Sequence, residues 1–183
     1  QCHIAPDNNL WVMTSTGLRC YDPSTLQLKE SVALNGYPYY SYLHNNELWI
    51  TGNHTLSIFD TRTRSFKPLP QPIAQNTTLC NADIDYIHPY GNNGLLLNTA
   101  RHGMFYYNPG TGSVTRQDEN GFPFEMPRFR ISRMFTDSQQ NLWIGSVDQG
   151  YTVCYHYKER FNNDNYLRSE LNNKSMVSLS AGK

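Results

Sequence analysis

The segment Asp137–Phe161, with the sequence DSQQNLWIGSVDQGYTVCYHYKERF, indicates the fold because three earlier segments are imperfect copies of it. The copies are Asp7–Leu28, His44–Phe66 and Gly91–Val114. Each copy has a polar turn, a short apolar strand, a second turn, an aromatic-rich strand and another polar turn. The chain of 183 residues therefore consists largely of one repeated unit.

Each copy has one large apolar residue at the centre of its first strand: Trp11, Trp49, Leu96 and Trp143. These anchor residues are 38, 47 and 47 positions apart. The aromatic strands are expected to end at Tyr21, Phe59, Tyr107 and Tyr155. A period of roughly 40–50 residues is the size of one four-stranded blade of a β-propeller. The absence of a sustained 3.6-residue apolar period, with 10 Pro and 12 Gly, favours an all-β fold. We predict a β-propeller segment of four-stranded antiparallel blades.

Blade boundaries follow from this period. Blades are expected at approximately residues 1–34, 37–70, 82–117 and 129–167, with 175–179 as the first strand of another blade. The innermost strands are predicted at Tyr39–Leu43, Ala82–Ile87 and Arg130–Phe135. Four blades plus a further strand suggest a piece of a longer protein. Two long connections, Pro68–Asn81 and Asp118–Phe129, are either binding loops or covering loops.

The composition argues against two classes of partner. There are 15 basic and 15 acidic residues, and no run of Lys or Arg could follow a phosphate backbone, so no nucleic-acid partner is expected. No apolar segment approaches the roughly 20 residues that cross a bilayer, so no membrane insertion by this fragment is expected.

The four cysteines, Cys2, Cys20, Cys80 and Cys154, show no C-x-x-C spacing, so neither a metal site nor a cofactor is expected. Cys20 and Cys154 are predicted at equivalent positions of two aromatic strands, as buried thiols. A bridge between Cys2 and Cys20 is the alternative, and it would require neighbouring strands and an oxidising compartment.

Three motifs carry a resemblance to a known family: NLWIGSVDQGY at Asn141–Tyr151, NLWVMTSTGL at Asn9–Leu18 and YDPST at Tyr21–Thr25. They resemble the two-component regulator propeller repeat, and the similarity spans residues 7 to 179. That repeat builds the periplasmic sensor region of hybrid two-component systems in Bacteroides-type bacteria. The chain departs from the pattern at Leu96, at His54-Thr55 and by an extra residue before Cys154.

The resemblance implies a non-catalytic ligand-sensing propeller in the periplasm. Its ligand would be an oligosaccharide derived from a polysaccharide, and the kinase and response-regulator portions would lie elsewhere in the parent protein. Other propeller blades or domains of the same protein are expected partners, and a homodimer is possible.

Propeller geometry selects candidate ligand-binding residues, because the connections from outer to next inner strand share one face with the turns between second and third strands. The connections and the inner strands that they lead into supply Tyr37, Tyr39, Tyr40, Asp83, Arg128 and Arg130; the turns supply His54, Arg101, His102 and Asp148. Aromatic rings can stack on sugars, and Arg, Asp and His can bind hydroxyl, uronate or sulfate groups. Arg101 with His102 is the favoured pair, because the other copies hold small residues there. Tyrosine rings packed between blades are the alternative reading.

Two other functions remain open at this point. Exposed blade edges would suit a protein-interaction scaffold. A propeller glycoside hydrolase or lyase would need paired carboxylates, and Asp83 and Asp85 are expected on one strand face. The chain contains no G-x-S-x-G, no metal-binding His/Glu motif and no phosphate-binding loop, so catalysis is the weakest of these hypotheses.

Overall fold

The computed structural model describes residues 1–91, 93–126 and 130–155, and within them the strands form four antiparallel sheets. Sheet 1 contains β1 (Cys2–Ile4), β2 (Leu10–Thr14), β3 (Gly17–Tyr21) and β4 (Leu28–Ala33). Sheet 2 contains β5 (Pro38–His44), β6 (Glu47–Gly52), β7 (Thr55–Asp60) and β8 (Ser65–Lys67).

Sheets 3 and 4 repeat the arrangement. Sheet 3 contains β9 (Ile84–Tyr90), β10 (Gly94–Thr99), β11 (Gly103–Asn108) and β12 (Ser113–Arg116). Sheet 4 contains β13 (Ile131–Thr136), β14 (Leu142–Ser146) and β15 (Tyr151–Cys154) in the described residues. Strands adjacent in sequence are adjacent in every sheet, so each sheet is an antiparallel meander, the connectivity of a propeller blade. The predicted all-β propeller fold is confirmed.

The innermost strands lie close to their predicted positions, and the largest difference is at β9, which runs to Tyr90 instead of Ile87. Pro89 lies inside this strand, and β9 is an edge strand of sheet 3, where a proline is tolerated. The rest of the expected fourth blade after residue 155, and the expected strand at 175–179, lie outside the described residues.

The long connections bury apolar side chains, as the covering-loop alternative expected. Between β8 and β9 lie two short helices, α1 (Gln71–Ala74) and α2 (Thr77–Cys80). Ile73 and Leu79 from these helices are fully buried between sheets 2 and 3. Phe124, in the connection between β12 and β13, packs between sheets 3 and 4. Both connections therefore act partly as covers for the core.

Strand register places one equivalent row of side chains in each sheet, which we call the anchor row. It contains His3, Trp11 and Cys20 in sheet 1, Tyr42, Trp49 and Ile58 in sheet 2, His88, Leu96 and Tyr106 in sheet 3, and Phe135, Trp143 and Val153 in sheet 4. The four anchors deduced from the repeat are thus structurally equivalent.

The first three anchors, Trp11, Trp49 and Leu96, pack against the following sheet. The Trp11 ring meets Phe59 of sheet 2 with centroids 5.1 Å apart, and Trp49 meets Tyr107 of sheet 3 at 6.1 Å. Leu96 packs with Met134 and other side chains of sheet 4. Trp143 is 37% exposed, whereas Trp11 is 1% exposed. The core therefore consists of layers between successive sheets.

The register corrects the prediction for Cys154. Cys20 pairs with Trp11, but Trp143 pairs with Val153, and Cys154 pairs with Leu142 as Tyr21 does with Leu10. Cys154 therefore takes the position of Tyr21, because the turn between β14 and β15 is longer than the turn between β2 and β3. Tyr155 was expected to be the last residue of this strand, but β15 ends one residue earlier, at Cys154.

All four cysteines are free. Cys20 is buried, as predicted, and burial raises the pKa of its thiol. The alternative Cys2–Cys20 bridge does not fit the fold, because β2 lies between the strands that carry the two residues.

Two anchor-row histidines link successive sheets. His3 Nε2 lies 2.9 Å from Ser41 Oγ, and His88 Nε2 lies 2.8 Å from Thr136 Oγ1. Burial lowers the pKa of His88 to about 4, from an ordinary value of 6.5. The neutral imidazole is therefore the form that the folded protein accommodates.

The His88 environment predicts acid sensitivity. Because the pKa of His88 is lower in the folded protein than in the unfolded chain, protonation favours unfolding. As the pH falls from 6.5 towards 4, protonation of His88 should lower the free energy of unfolding by about 1–3 kcal/mol. His88→Gln should flatten the fall in melting temperature over this range, measured by circular dichroism. The control His102→Gln, at an exposed histidine, should retain the wild-type slope; equal slopes for wild type and His88→Gln would contradict the assignment.

Anchor packing predicts unequal costs for the same substitution. Trp11→Ala should lower the free energy of unfolding by about 3–5 kcal/mol, because it empties a fully buried site between two sheets. Trp143→Ala should cost clearly less, since its side chain already meets solvent. Urea unfolding followed by circular dichroism measures both. If both substitutions lowered the free energy of unfolding equally, Trp143 would have to be as well covered as Trp11, which would contradict the exposure of sheet 4.

Candidate functional site

One end of the sheets gathers most of the candidate residues; we call it the upper face. It consists of the turns between second and third strands and the connections that lead into the inner strands. Backbone hydrogen bonds join the turns to the connections: Ala100 N donates to Asp83 O at 2.9 Å, and Val147 N donates to Arg130 O at 3.0 Å. The rigid sheets thus hold both sets of loops side by side.

The first of two cavities on the upper face, the His54 cavity, measures about 200 Å³ and lies between sheets 2 and 3. It is lined by His54, Asn81, Ala82, Asp83, Arg101 and His102. His54 N donates to Asp83 Oδ1 at 3.0 Å, and the ring Nδ1 lies 2.9 Å from Asn81 O and 3.5 Å from Asp83 Oδ1. With two oxygens facing it, Nδ1 is the ring nitrogen that acts as the hydrogen-bond donor. These contacts fix His54 and occupy one oxygen of Asp83.

The second cavity, the Arg130 cavity, measures about 610 Å³ and lies between sheets 3 and 4. Its polar lining includes Asp85, Arg101, Gln117, Arg130, Asp148 and Gln149. The pKa of Asp85 is raised, mainly because neighbouring atoms desolvate its carboxylate, while the positive charge of Arg130 opposes the rise and the negative charge of Asp83 adds to it. Arg101 lines both cavities, so they adjoin one another.

The two cavities are repeats of one arrangement. His54, Arg101 and Asp148 each stand two residues after Gly52, Thr99 and Ser146, which hold equivalent register positions. Tyr37, Asp83 and Arg130 each precede the first residue of an inner strand. The His54 cavity combines His54, Asp83 and Arg101, and the Arg130 cavity combines Arg101, Arg130 and Asp148. The residues equivalent to Arg101 are therefore His54 and Asp148, and the expectation of small residues there was wrong.

A β-bulge occurs at the same place in three inner strands. The extra residue is Tyr39 in β5, Asp85 in β9 and Ser132 in β13, each three positions before the anchor row. Bulges redirect side chains and are common beside binding sites. Sequence reasoning considered Asp85 only as a catalytic carboxylate, and the constant distance of the bulge from the anchor row was the signal that could have placed Asp85 in a cavity lining.

The other tyrosine candidates separate into two groups. Tyr37 and Tyr39 are exposed on the upper face with ring centroids 6.2 Å apart, outside the linings of the two cavities. Tyr40 packs on Tyr86 at 4.5 Å between sheets 2 and 3, and burial raises the pKa of its hydroxyl. Tyr40 therefore has a packing role. Arg128 lies outside the described residues.

The arrangement of Asp83 and Asp85 does not match the paired carboxylates considered from the sequence. Asp83 lines the His54 cavity, whereas the bulge directs Asp85 to the Arg130 cavity. Among residues 1–91, 93–126 and 130–155, no group of three or more His, Cys, Asp or Glu side chains could hold a metal ion. The same residues include no helix that is long and apolar enough to cross a membrane.

Comparison with solved structures identifies proteins of the same fold. The extracellular domain of BT3049, described as a hybrid two-component system of B. thetaiotaomicron, matches with a TM-score of 0.59 and 18% identity over 91% of this chain and 22% of that one. The extracellular domain of BT4673, from the same organism and described as a one-component system, matches with a TM-score of 0.62 and 22% identity. The match covers 84% of this chain and 21% of that one. The computationally designed protein Ika8 matches with a TM-score of 0.56 and 11% identity, over 84% of this chain and 44% of that one.

These likenesses show the fold, and the chain spans about a fifth of the length of the two B. thetaiotaomicron domains. No protein-family model matches the chain, and no curated protein matches it either.

The His54 contacts generate a local prediction. Asp83→Ala should remove the acceptor of the His54 amide, so hydrogen exchange at that amide should accelerate about fivefold to tenfold. Asp85→Ala is the matched control, because its carboxylate lines the other cavity, and exchange at His54 should not change. Two-dimensional NMR of both variants measures the rates. Acceleration in both variants would contradict a specific Asp83–His54 bond.

Proposed function

We propose that this chain is a non-catalytic part of the extracytoplasmic sensor region of a hybrid two-component signalling protein, and that it binds a polysaccharide-derived oligosaccharide at the upper face. The observation that carries the proposal is the pair of adjoining cavities lined by Arg, Asp and His side chains. The family resemblance of the repeats and the shared fold of the two B. thetaiotaomicron extracellular domains support the sensor assignment.

The chemistry of the upper face suits a sugar. Carboxylates accept hydrogen bonds from hydroxyl groups, and guanidinium groups donate to them, so Asp and Arg side chains together can orient a polyhydroxylated ring. The exposed rings of Tyr37 and Tyr39 offer apolar faces at the rim. Hydroxyl, carboxylate and guanidinium contacts of this kind suit binding without turnover, which is the use of the site that we propose.

Signalling would follow from where the ligand binds. Each cavity lies between two sheets, so a bound ligand contacts two blades at once. A ligand that binds one arrangement of the sensor more tightly shifts the population towards it by the difference in binding free energy. In the parent protein this shift would be passed across the inner membrane to the kinase, and we propose a periplasmic location for the chain.

Calorimetric titration of the complete sensor region against plant, host and fungal oligosaccharides tests the proposal. We expect saturable binding, with affinity lowered at least roughly tenfold by Arg101→Ala. Arg62→Ala is the matched control: Arg62 is exposed in the turn after β7, at the opposite end of the sheets, and its loss should not change affinity. Absence of binding across the panel would contradict the function.

A second candidate function, a protein-interaction scaffold or homodimer, is favoured by the outward face of sheet 4. Phe135 and Tyr151 are 63% and 67% exposed there, on either side of Trp143. Large exposed aromatic side chains on one sheet face are typical of a protein interface. Light scattering on the titration samples separates the two functions: a stable dimer without saccharide binding would favour the scaffold.

A further inference from the structure

We infer that the His54 cavity and the Arg130 cavity are two adjacent subsites for one neutral oligosaccharide of at least two sugar residues, with Arg101 contacting the ligand at the junction. The inference rests on the proposed function and specifies its ligand class. It selects uncharged sugars over the uronate and sulfate groups that the same residue types could bind.

The size of the cavities supports an extended ligand. Ligand pockets measure about 300–1,000 Å³, a range that includes the Arg130 cavity but not the smaller His54 cavity. The His54 cavity alone can hold part of a ligand, and Arg101 lines it together with the larger cavity. A chain of sugars can occupy both by continuing past Arg101.

The charge of the larger cavity supports a neutral ligand. Its lining carries two cations, Arg101 and Arg130, and two carboxylates, Asp85 and Asp148. An anionic sugar would meet both carboxylates as well as both arginines, so the balanced charge of the cavity gives the anion little net attraction. A neutral sugar can donate its hydroxyl protons to Asp85 and Asp148 while it accepts from the arginines. Balanced charge therefore favours hydroxyl recognition.

Arg101 is available at the junction. In the part of the chain that the structure describes, its guanidinium has no hydrogen bond or ion pair, whereas one oxygen of Asp83 is already bonded to His54 N. A guanidinium offers five donor N–H groups in a fixed plane, enough to contact two neighbouring sugar residues. Arg101 can therefore couple occupation of one cavity to occupation of the other.

The test uses the complete sensor region and digests of two kinds. Neutral oligosaccharides come from glucan, mannan, galactan and arabinan, and anionic ones from polygalacturonate, alginate and chondroitin sulfate. Array binding selects ligands, and calorimetry then measures affinity against chain length and between about 50 mM and about 500 mM NaCl. We expect neutral ligands only, affinity at least roughly tenfold higher for a trisaccharide than for its monosaccharide, and less than about a twofold change with salt.

The variants separate the two parts of the inference. Arg101→Ala should remove most of the dependence on chain length, while Arg62→Ala should retain it. Asp85→Asn combined with Asp148→Asn should allow anionic sugars to bind, because the repelling carboxylates are gone.

Three results would overturn the inference. Preference for anionic sugars in the wild-type protein would refute the neutral ligand and leave the proposed sensing function intact. Equal affinity for the monosaccharide and the trisaccharide would refute the two subsites. Failure of every saccharide to bind would refute the proposed function and the inference together.

Discussion

Packing of the anchor row against the following sheet is the interaction on which the rest of the structure depends. A single antiparallel sheet of short strands cannot bury both its faces, so each unit is stable only with neighbours. Trp11, Trp49 and Leu96 supply the side chains that fill the space between sheets, and Phe59 or Tyr107 receive them. Tryptophan contributes a large buried area at one backbone position, which suits a unit that offers few core positions.

This layered packing also determines where function can reside. The residues between sheets are committed to the core, so variation in chemistry is confined to the loops at the ends of the strands. On the upper face, three register positions recur in successive blades with different side chains, as in the change from Asp83 to Arg130. The backbone is preserved while the charge is inverted. Such a scaffold can adapt its binding face without altering its core.

A hydrogen bond between sheets 3 and 4 makes the stability of their packing depend on pH. His88 occupies an anchor-row position where an apolar side chain, Phe135, stands in sheet 4. Its bond to Thr136 satisfies a buried polar group, and an unpaired group there would cost about 1–3 kcal/mol. The same burial favours the neutral imidazole, so the contact that orders two sheets also weakens them in acid.

Much of the fold followed from sequence because its signal is repetition. Four copies around Trp11, Trp49, Leu96 and Trp143 gave the all-β class, the equivalence of the anchors and the order of the strands, since a periodic sequence with local turns can form only local pairings. Of the candidate site residues, Asp83, Arg101 and His102 line one cavity on the upper face.

Tertiary structure decided what depends on register and on contacts between sheets. The bulge that exposes Asp85, the shift of Cys154 and the separation of Cys2 from Cys20 all follow from which residues pair across strands. Tyr40 and Tyr39 are neighbours in sequence, yet one packs between blades and the other is exposed. A shift of one residue in strand register moves every following side chain to the other face of the sheet, and the amino-acid composition does not specify the register. The sequence by itself determined the repeating unit, and the register of the folded strands determined which side chains reach the upper face.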